Sequence, residues 1–120
     1  MNPSVDSADL IYHMCLRAEW ELAVQRGSYA GSSQDMADGF IHFSTGEQLP
    51  ESARRHRMGH RGLVLLAVDP RTLGAALRWE PSRRGAQFPH LYGSLPTSAV
   101  RCVCDLPLDD QGVPLLPALG

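Results

Sequence analysis

The stretch Asp38-Gly39-Phe40-Ile41-His42-Phe43-Ser44-Thr45 decides which fold the sequence predicts. Its large apolar residues favour a short strand that is entered from a tight turn. Because side chains alternate along a strand, Phe40, His42 and Ser44 are expected to share one face. The stretch therefore predicts an imidazole and a hydroxyl group beside each other on an otherwise apolar strand.

Strand and helix patterns precede this stretch. Residues 10–14 predict a first strand, and the apolar spacing of residues 16–26 predicts a helix that ends at Gly27. Residues 28–38 are rich in glycine, serine and small polar side chains, which predicts a loop. A loop of this length in so short a chain is expected to cover or form a site.

Similar patterns continue in the second half of the chain. Pro50 suits the first turn of a helix that runs towards Met58 and ends at Gly59. The nearly continuous apolar residues 63–68 predict a strand that is buried on both faces. The remaining predicted elements are a short helical turn at residues 71–77 and strands at residues 78–80 and 99–106.

Length and composition fit one α+β domain. The chain has 120 residues, of which 43% are hydrophobic and 20% charged, as in ordinary globular proteins. The domain is predicted at residues 10–106, between a flexible N-terminal tail at residues 1–9 and an irregular C-terminal tail at residues 107–120. A net charge of -2 argues against a nucleic-acid partner. Without a long apolar run or a leader, neither a membrane span nor export is expected, so the expected location is the cytoplasm.

Three cysteines make an odd count in a chain without an export signal. Free thiols in a reducing compartment are therefore expected. Cys102 and Cys104 lie two residues apart, so they share a face of the predicted strand. Both are interpreted as small buried hydrophobic residues.

Two further histidines, His13 and His90, lie in apolar and aromatic segments like that of His42. We expect the three segments to converge on one polar cleft. Glu80 follows Trp79, and a carboxyl group in a partly apolar cleft has its pKa raised towards the range useful for proton transfer. The residues assigned to the site are His13, His42 and Glu80 as catalytic groups and Ser44, His90 and Tyr92 as substrate-binding groups.

The residues leave several alternatives open. Glu80 can form an ion pair with Arg78, Arg83 or Arg84. Ser44 fits a helix-capping box with Glu47, as does Thr45 with Gln48. Cys15 lies on the same face of the first strand as His13, which allows a cysteine–histidine pair. No metal ligand is assigned, although three imidazoles such as those of His13, His42 and His90 would suit catalytic zinc.

A basic run, Arg54-Arg55-His56-Arg57 with His60 and Arg61, occupies the end of the predicted helix at residues 50–58. Positive charges near the C-terminus of a helix complement its dipole, so the run is interpreted as a solvated face. A patch that contacts phosphate is the alternative. The chain has neither the glycine-rich phosphate loop of nucleotide hydrolases nor the glycine motif that binds dinucleotides.

Four strings carry a resemblance to a known family: Ile11-Tyr12-His13, the Asp38–Ser44 part of the central stretch, Trp79-Glu80, and Phe88-Pro89-His90-Leu91-Tyr92-Gly93. They resemble a family of small bacterial proteins of unknown function that is grouped by fold with the ADP-ribosyltransferases, and the likeness covers residues 10–106. The resemblance implies a split, strongly bent β-sheet with flanking helices and an NAD-sized cleft. It also implies that His13 orients the ligand and that Glu80 stabilises a positively charged transition state. The cofactor is unassigned, and NAD is the one that the resemblance implies.

The predicted function is that of a small-molecule-binding protein or enzyme. In the enzyme hypothesis, the histidines and Tyr92 orient a nucleotide-like or other polar molecule while Glu80 supports group transfer or bond cleavage. A non-catalytic ligand-binding module and a metal-dependent enzyme are the alternatives, and either would fit a step of a specialised biosynthetic pathway. The expected partner is a small-molecule ligand, and the oligomeric state is not predicted.

Overall fold

A four-stranded antiparallel sheet lies at the centre of the computed structural model, which describes residues 10–82 and 85–117. Its strand order is β4-β1-β5-β9, and two smaller antiparallel sheets, β3-β7-β6 and β2-β8, pack around it. Short 3₁₀ turns precede β6 and β9. The strands and α-helices of the described residues are β1 (Ile11–Leu16), α1 (Arg17–Arg26), β2 (Ser28–Tyr29), α2 (Ser33–Asp38), β3 (Ile41–His42), β4 (Ser44–Thr45), α3 (Leu49–His56), β5 (Leu63–Val68), β6 (Leu77–Pro81), β7 (Gln87–Leu91), β8 (Leu95–Pro96) and β9 (Val100–Leu106).

The strand β5 forms the centre of the core. All six of its residues are buried, which confirms the expectation from its continuous apolar sequence. It pairs with β1 on one side and β9 on the other, with His13 of β1 opposite Leu66. Apolar clusters lie on both faces of this sheet, so the predicted α+β class is confirmed.

The prediction of one strand over residues 38–45 is wrong. Ile41 and His42 pair with β7, whereas Ser44 and Thr45 pair with β1 in the central sheet. Between them, the Phe43 N–H donates to the Pro89 carbonyl at 3.0 Å. The chain thus passes from one sheet to another within three residues, and this crossing brings the two sheets together beside His42.

The predicted loop at residues 28–38 is also wrong, because it contains β2 and α2. Ser32 and Asp35 begin α2 with a reciprocal capping box. The Ser32 hydroxyl accepts from the Asp35 N–H at 3.2 Å, and the Asp35 carboxylate accepts from the Ser32 N–H at 2.7 Å. Gly39 ends the helix with a φ of 88°, a conformation that glycine adopts without strain.

The other two α-helices follow the sequence prediction more closely. The helix α1 ends at Gly27, which has a φ of 85°, as its sequence predicts. The helix α3 contains Pro50 in its first turn, but it ends at His56 with Arg57 as its C-cap rather than at Gly59. Beyond this end, residues 57–60 form a turn in which the His60 N–H donates to the Arg57 carbonyl at 3.1 Å.

The three cysteines of the described residues are free, as predicted. Cys15 is buried, but Cys102 is exposed and Cys104 is only partly buried, so the prediction that both are core residues is wrong. The physical reason is that β9 is the edge strand of its sheet and most of its residues are solvent-exposed.

The two predicted tails differ in how far the structure describes them. Residues 1–9, predicted as a tail, lie outside the described residues. Beyond β9, Leu108 and Pro114 form an isolated β-bridge, and Leu116 packs against the apolar cluster on one face of the central sheet. None of the helices among the described residues has the length and apolar character needed to cross a membrane.

Candidate active site

A cavity of about 530 Å³ opens where the central sheet meets the β3-β7-β6 sheet. His13, His42 and His90 reach it from β1, β3 and β7, while Asp35 reaches it from α2 and Arg57 from the end of α3. Its volume is within the range of pockets that hold small molecules. The structure therefore confirms the prediction that the three histidine segments converge on one cleft.

Asp35 and His42 form the most closely bonded pair in this cavity. The His42 ring donates from Nδ1 to Asp35 Oδ1 at 2.5 Å, and the His42 backbone N–H donates to the same oxygen at 3.1 Å. The other oxygen, Oδ2, accepts from the backbone N–H and the hydroxyl of Ser32 at 2.7 and 3.0 Å. Four donors therefore hold one buried carboxylate and fix the orientation of the His42 ring.

These donors also keep Asp35 ionised. Burial acts to raise the pKa of Asp35, but hydrogen bonds from the His42 ring and from the Ser32 and His42 backbone, together with the nearby His13 ring, outweigh burial. The net effect lowers the pKa of Asp35 to about 2. On its other side, His42 Nε2 lies 3.0 Å from Asp38 Oδ2, so an imidazolium at position 42 would donate to two carboxylates.

Glu80 and His90 form a second histidine–carboxylate pair. His90 donates from Nδ1 to Glu80 Oε1 at 2.8 Å, and the Tyr92 hydroxyl donates to the same oxygen at 2.6 Å. Phe40 stacks on the His90 ring at a centroid distance of 4.1 Å and also contacts His42 at 4.5 Å. The His42 and His90 rings lie 5.7 Å apart between centroids, with Phe40 packed against both.

The environment of Glu80 differs from the one predicted. Its carboxylate is partly exposed and does not line the cavity, because it lies behind His90. Hydrogen bonds from Tyr92 and then His90 lower its pKa, whereas the sequence predicted a raised one. Among the described residues Arg78 is near enough to contribute to this effect, while Arg83 and Arg84 lie outside the described residues.

His13 is buried and both of its ring nitrogens are occupied. Nδ1 donates to the His42 carbonyl at 2.6 Å, so Nε2 accepts from the Tyr29 hydroxyl at 2.8 Å in the neutral ring. Burial lowers the pKa of His13, which favours this neutral form. The ring thus ties β1 to β3 beside the cavity, and neither nitrogen is left for a ligand.

Of the remaining residues assigned from the sequence, some line the cavity and others lie outside it. Ser44 lines the cavity, and its hydroxyl lies 2.9 Å from that of Ser52. Of the two predicted capping boxes before α3, the one that forms is that of Thr45, whose hydroxyl accepts from the Gln48 N–H. Tyr92 lies outside the lining and contacts Glu80. Burial raises the pKa of the Cys15 thiol to about 12, which argues against a nucleophilic cysteine paired with His13.

The alternative of a three-histidine metal site is not supported by this geometry. His13 uses both ring nitrogens in hydrogen bonds, so only His42 and His90 remain of the three. Within residues 10–82 and 85–117, no group of three histidine, cysteine, aspartate or glutamate side chains is arranged to hold a metal ion.

Asp35 and Arg57 line the cavity but are not among the site residues predicted from the sequence. Asp35 was placed in a loop, although the spacing of Ser32 and Asp35 fits a capping box and would have indicated a helix start. Arg57 was grouped with a solvated basic run, but its side chain lines the cavity and donates to the Met14 carbonyl at 2.9 Å. No local pattern distinguishes it from its neighbours Arg54 and Arg55.

Comparison with known proteins gives the chain a family. Three solved structures of protein CC0527 from Caulobacter crescentus resemble it. The crystal structure is 52% identical over 88% of this chain and 93% of that chain, with a TM-score of 0.86. A double-mutant crystal structure has 51% identity, the same coverage and a TM-score of 0.86, and the solution structure has 52% identity over 88% and 91% with a TM-score of 0.79.

No curated protein matches the sequence. The family described as "Protein of unknown function (DUF952)" matches residues 14–103, which is most of the chain. The expected membership of a family of unknown function is confirmed, and this protein belongs to the DUF952 family.

Proposed function

We propose that this protein is an acid–base enzyme that transfers a group from, or cleaves a bond in, a small polar molecule. One observation carries the proposal: two histidines with ring centroids 5.7 Å apart line one cavity, and each has its Nδ1 bonded to a carboxylate. A carboxylate on Nδ1 fixes the tautomer and directs Nε2 to proton transfer. Two such rings can supply one proton donor and one proton acceptor.

The neighbours of each Nε2 suggest which ring takes which role. His90 Nε2 has no hydrogen-bond partner among the described residues, so a neutral His90 can accept a proton from water or a hydroxyl nucleophile. His42 Nε2 lies 3.0 Å from Asp38 Oδ2, so a protonated His42 ring would donate to a carboxylate from each nitrogen. In this proposal His42 donates its Nε2 proton to the leaving group. Glu80 and Asp35 act as positioning residues. In this proposal the histidines, and not Glu80 as predicted from the sequence, move the protons.

We further propose an ADP-ribosyltransferase-like fold and a nucleotide-like substrate, on the strength of the motif resemblance. The position of His13 on the first strand beside the cavity supports this proposal, and NAD is the first ligand to test. Because both ring nitrogens of His13 are occupied, its proposed role is to hold β3 in place rather than to contact the ligand. Three free cysteines fit a reducing compartment such as the cytoplasm.

A ligand screen followed by kinetics of paired variants tests the proposal. NAD, ADP-ribose and nucleotides are screened by thermal shift, where a ligand at a hundred times its Kd should add about 2.7 kcal/mol to stability. With a ligand that is converted, His42→Gln and His90→Gln should each lower kcat by about 10²–10⁴. His60→Gln, on the same cavity but outside both pairs, is the matched control. Binding without turnover would leave a ligand-binding module, and full activity in either pair variant would exclude that ring from the mechanism.

A further inference from the structure

The cationic side of the cavity indicates what charge its ligand carries. Arg57 lines the cavity at the end of α3, and His56 and His60 line the same side. The carboxylates of the lining, Asp35 and Asp38, both contact His42, and Asp35 Oδ2 also lies 3.5 Å from His13 Nε2. Both carboxylates are therefore engaged by histidines, and neither forms an ion pair with Arg57.

Arg57 has no carboxylate within ion-pair distance among the described residues. Its Nη2 donates to the Met14 carbonyl at 2.9 Å, and its charge is close enough to His13 to help lower the pKa of that ring. Four other arginines of the described residues have carboxylate partners, and of the arginines without one only Arg57 lines the cavity. These pairs are Arg17 with Asp105, Arg55 with Glu51, and Arg71 and Arg101 with Asp69.

A guanidinium that lines a cavity and has no carboxylate partner can bind an anionic group of a ligand. The contact with Met14 holds one edge of the Arg57 guanidinium and leaves most of its N–H donors for another group. These donors form a planar fork that matches the two oxygens of a carboxylate or phosphate.

We infer that Arg57 binds an oxyanion group of the substrate, a phosphate or a carboxylate, and so holds the reacting bond near His42 and His90. This inference rests on the proposed function of the cavity, since it names the class of molecule on which the two histidines act. Arg57 is then a binding residue whose anchor to the Met14 carbonyl fixes the orientation of the guanidinium. The substrate is a small anion, and its charged end lies on the α3 side of the cavity.

Titrations of the full chain with inorganic pyrophosphate, inorganic phosphate and succinate test this inference at low ionic strength. Binding is followed by calorimetry and by amide chemical shifts around residues 57–60. The wild type should bind at least one anion saturably, and the arm that binds tells phosphate from carboxylate. Arg57→Gln should weaken that binding at least about tenfold, because a charge-assisted hydrogen-bond pair is lost.

Three variants make the result specific. Arg55→Gln, on the same helix but paired with Glu51, should leave the affinity unchanged. Arg57→Lys keeps the charge without the fork and should bind with intermediate affinity, which also covers the case in which Arg57→Gln fails to fold. His42→Gln should retain anion binding even if it removes turnover, so a failed acid–base mechanism and a failed anion site give different results.

Two outcomes would overturn the inference. One is a folded wild type that binds none of the three anions saturably. The other is equal weakening by Arg57→Gln and Arg55→Gln, which would show a general effect of surface charge and no site at Arg57.

Discussion

The two histidine–carboxylate pairs are chemically alike but are buried in opposite ways. In the first pair the carboxylate is inside and the ring faces solvent: Asp35 is 3% exposed and the His42 side chain 40%. In the second pair the ring is inside, since the His90 side chain is 9% exposed and that of Glu80 33%. The first ring is thus oriented by a buried carboxylate, whereas the second ring is itself buried and is oriented by a more exposed carboxylate.

This difference assigns different functions to the two carboxylates. Asp35 has donors from Ser32 and His42 on both oxygens, so it joins α2 to β3 as well as orienting the ring. Glu80 uses one oxygen for both His90 and Tyr92, and solvent screens it. Asp35 should therefore matter to folding and chemistry together, and Glu80 to the position of His90 alone.

The largest expected effect is that of Asp35→Asn on stability. In the wild type one carboxylate oxygen accepts from Ser32 and the other from His42. An asparagine has only one oxygen, so its NH₂ group would face the N–H donors of one of these residues. Breaking a buried ionic network of this kind costs about 3–5 kcal/mol. Denaturant unfolding measures it, with Asp38→Asn as a half-exposed control that should cost less than about 1 kcal/mol. Equal losses in the two variants would show that burial of Asp35 is not what makes its pair strong.

The next largest effect is the contribution of Asp35 to the pH dependence of the unfolding free energy. Its pKa is lowered from 3.8 to about 2 in the folded protein, so the unfolded chain takes up the proton first as the pH falls. The stability that the carboxylate contributes is present above about pH 4 and is lost as the pH falls towards 2, by about 2 kcal/mol. The unfolding free energy of the wild type should fall more steeply over this window than that of Asp35→Asn. Parallel curves would contradict the assignment.

Elements with a local cause were predictable from the sequence, and those that depend on distant partners were not. The strand β5 and the end of α1 at Gly27 follow from continuous apolar residues and from one glycine. The split between β3 and β4 does not, because it depends on β7 and β1 competing for neighbouring residues of one apparent strand. The six-residue helix α2 is too short to show an apolar period, so its capping residues resemble a loop.

The candidate site shows the same limit. The aromatic surroundings of His42 and His90 indicated that they share a cleft, and they do. Glu80 was identified, but its role depends on the β6–β7 register, in which it lies opposite Phe88 and diagonal to His90. Arg57 could not be identified within its basic run from the sequence. Two structural features distinguish it from the neighbouring arginines: it lies at the C-cap of α3, and it donates to the Met14 carbonyl.

His13 should produce a smaller pH effect in the neutral range. Burial lowers its pKa from 6.5, so the unfolded chain binds the proton first and stability is lost as the pH falls below about 6.5. His13→Gln can keep a donor and an acceptor without titrating, so its unfolding free energy should change less between pH 8 and pH 5.5. Nitrogen chemical shifts should show the Nδ1–H tautomer in the wild type. An imidazolium at pH 6 would contradict the neutral network with Tyr29.

Substitutions of Glu80 should have the smallest effect on stability. A comparison of two such variants tells whether Glu80 acts on His90 by orienting the ring or by its charge. Glu80→Gln keeps an oxygen that can accept from both His90 and Tyr92, whereas Glu80→Ala removes it. Neither change should shift the unfolding midpoint measurably, because the carboxylate lies at the surface. If Glu80 only positions the ring, kcat should fall about 10- to 10²-fold in Glu80→Ala and much less in Glu80→Gln.

Equal losses of kcat in the two Glu80 variants would mean that the charge on Glu80 is needed, and His90 would then be cationic during the reaction. Full activity in both variants would show that stacking on Phe40 is enough to hold His90.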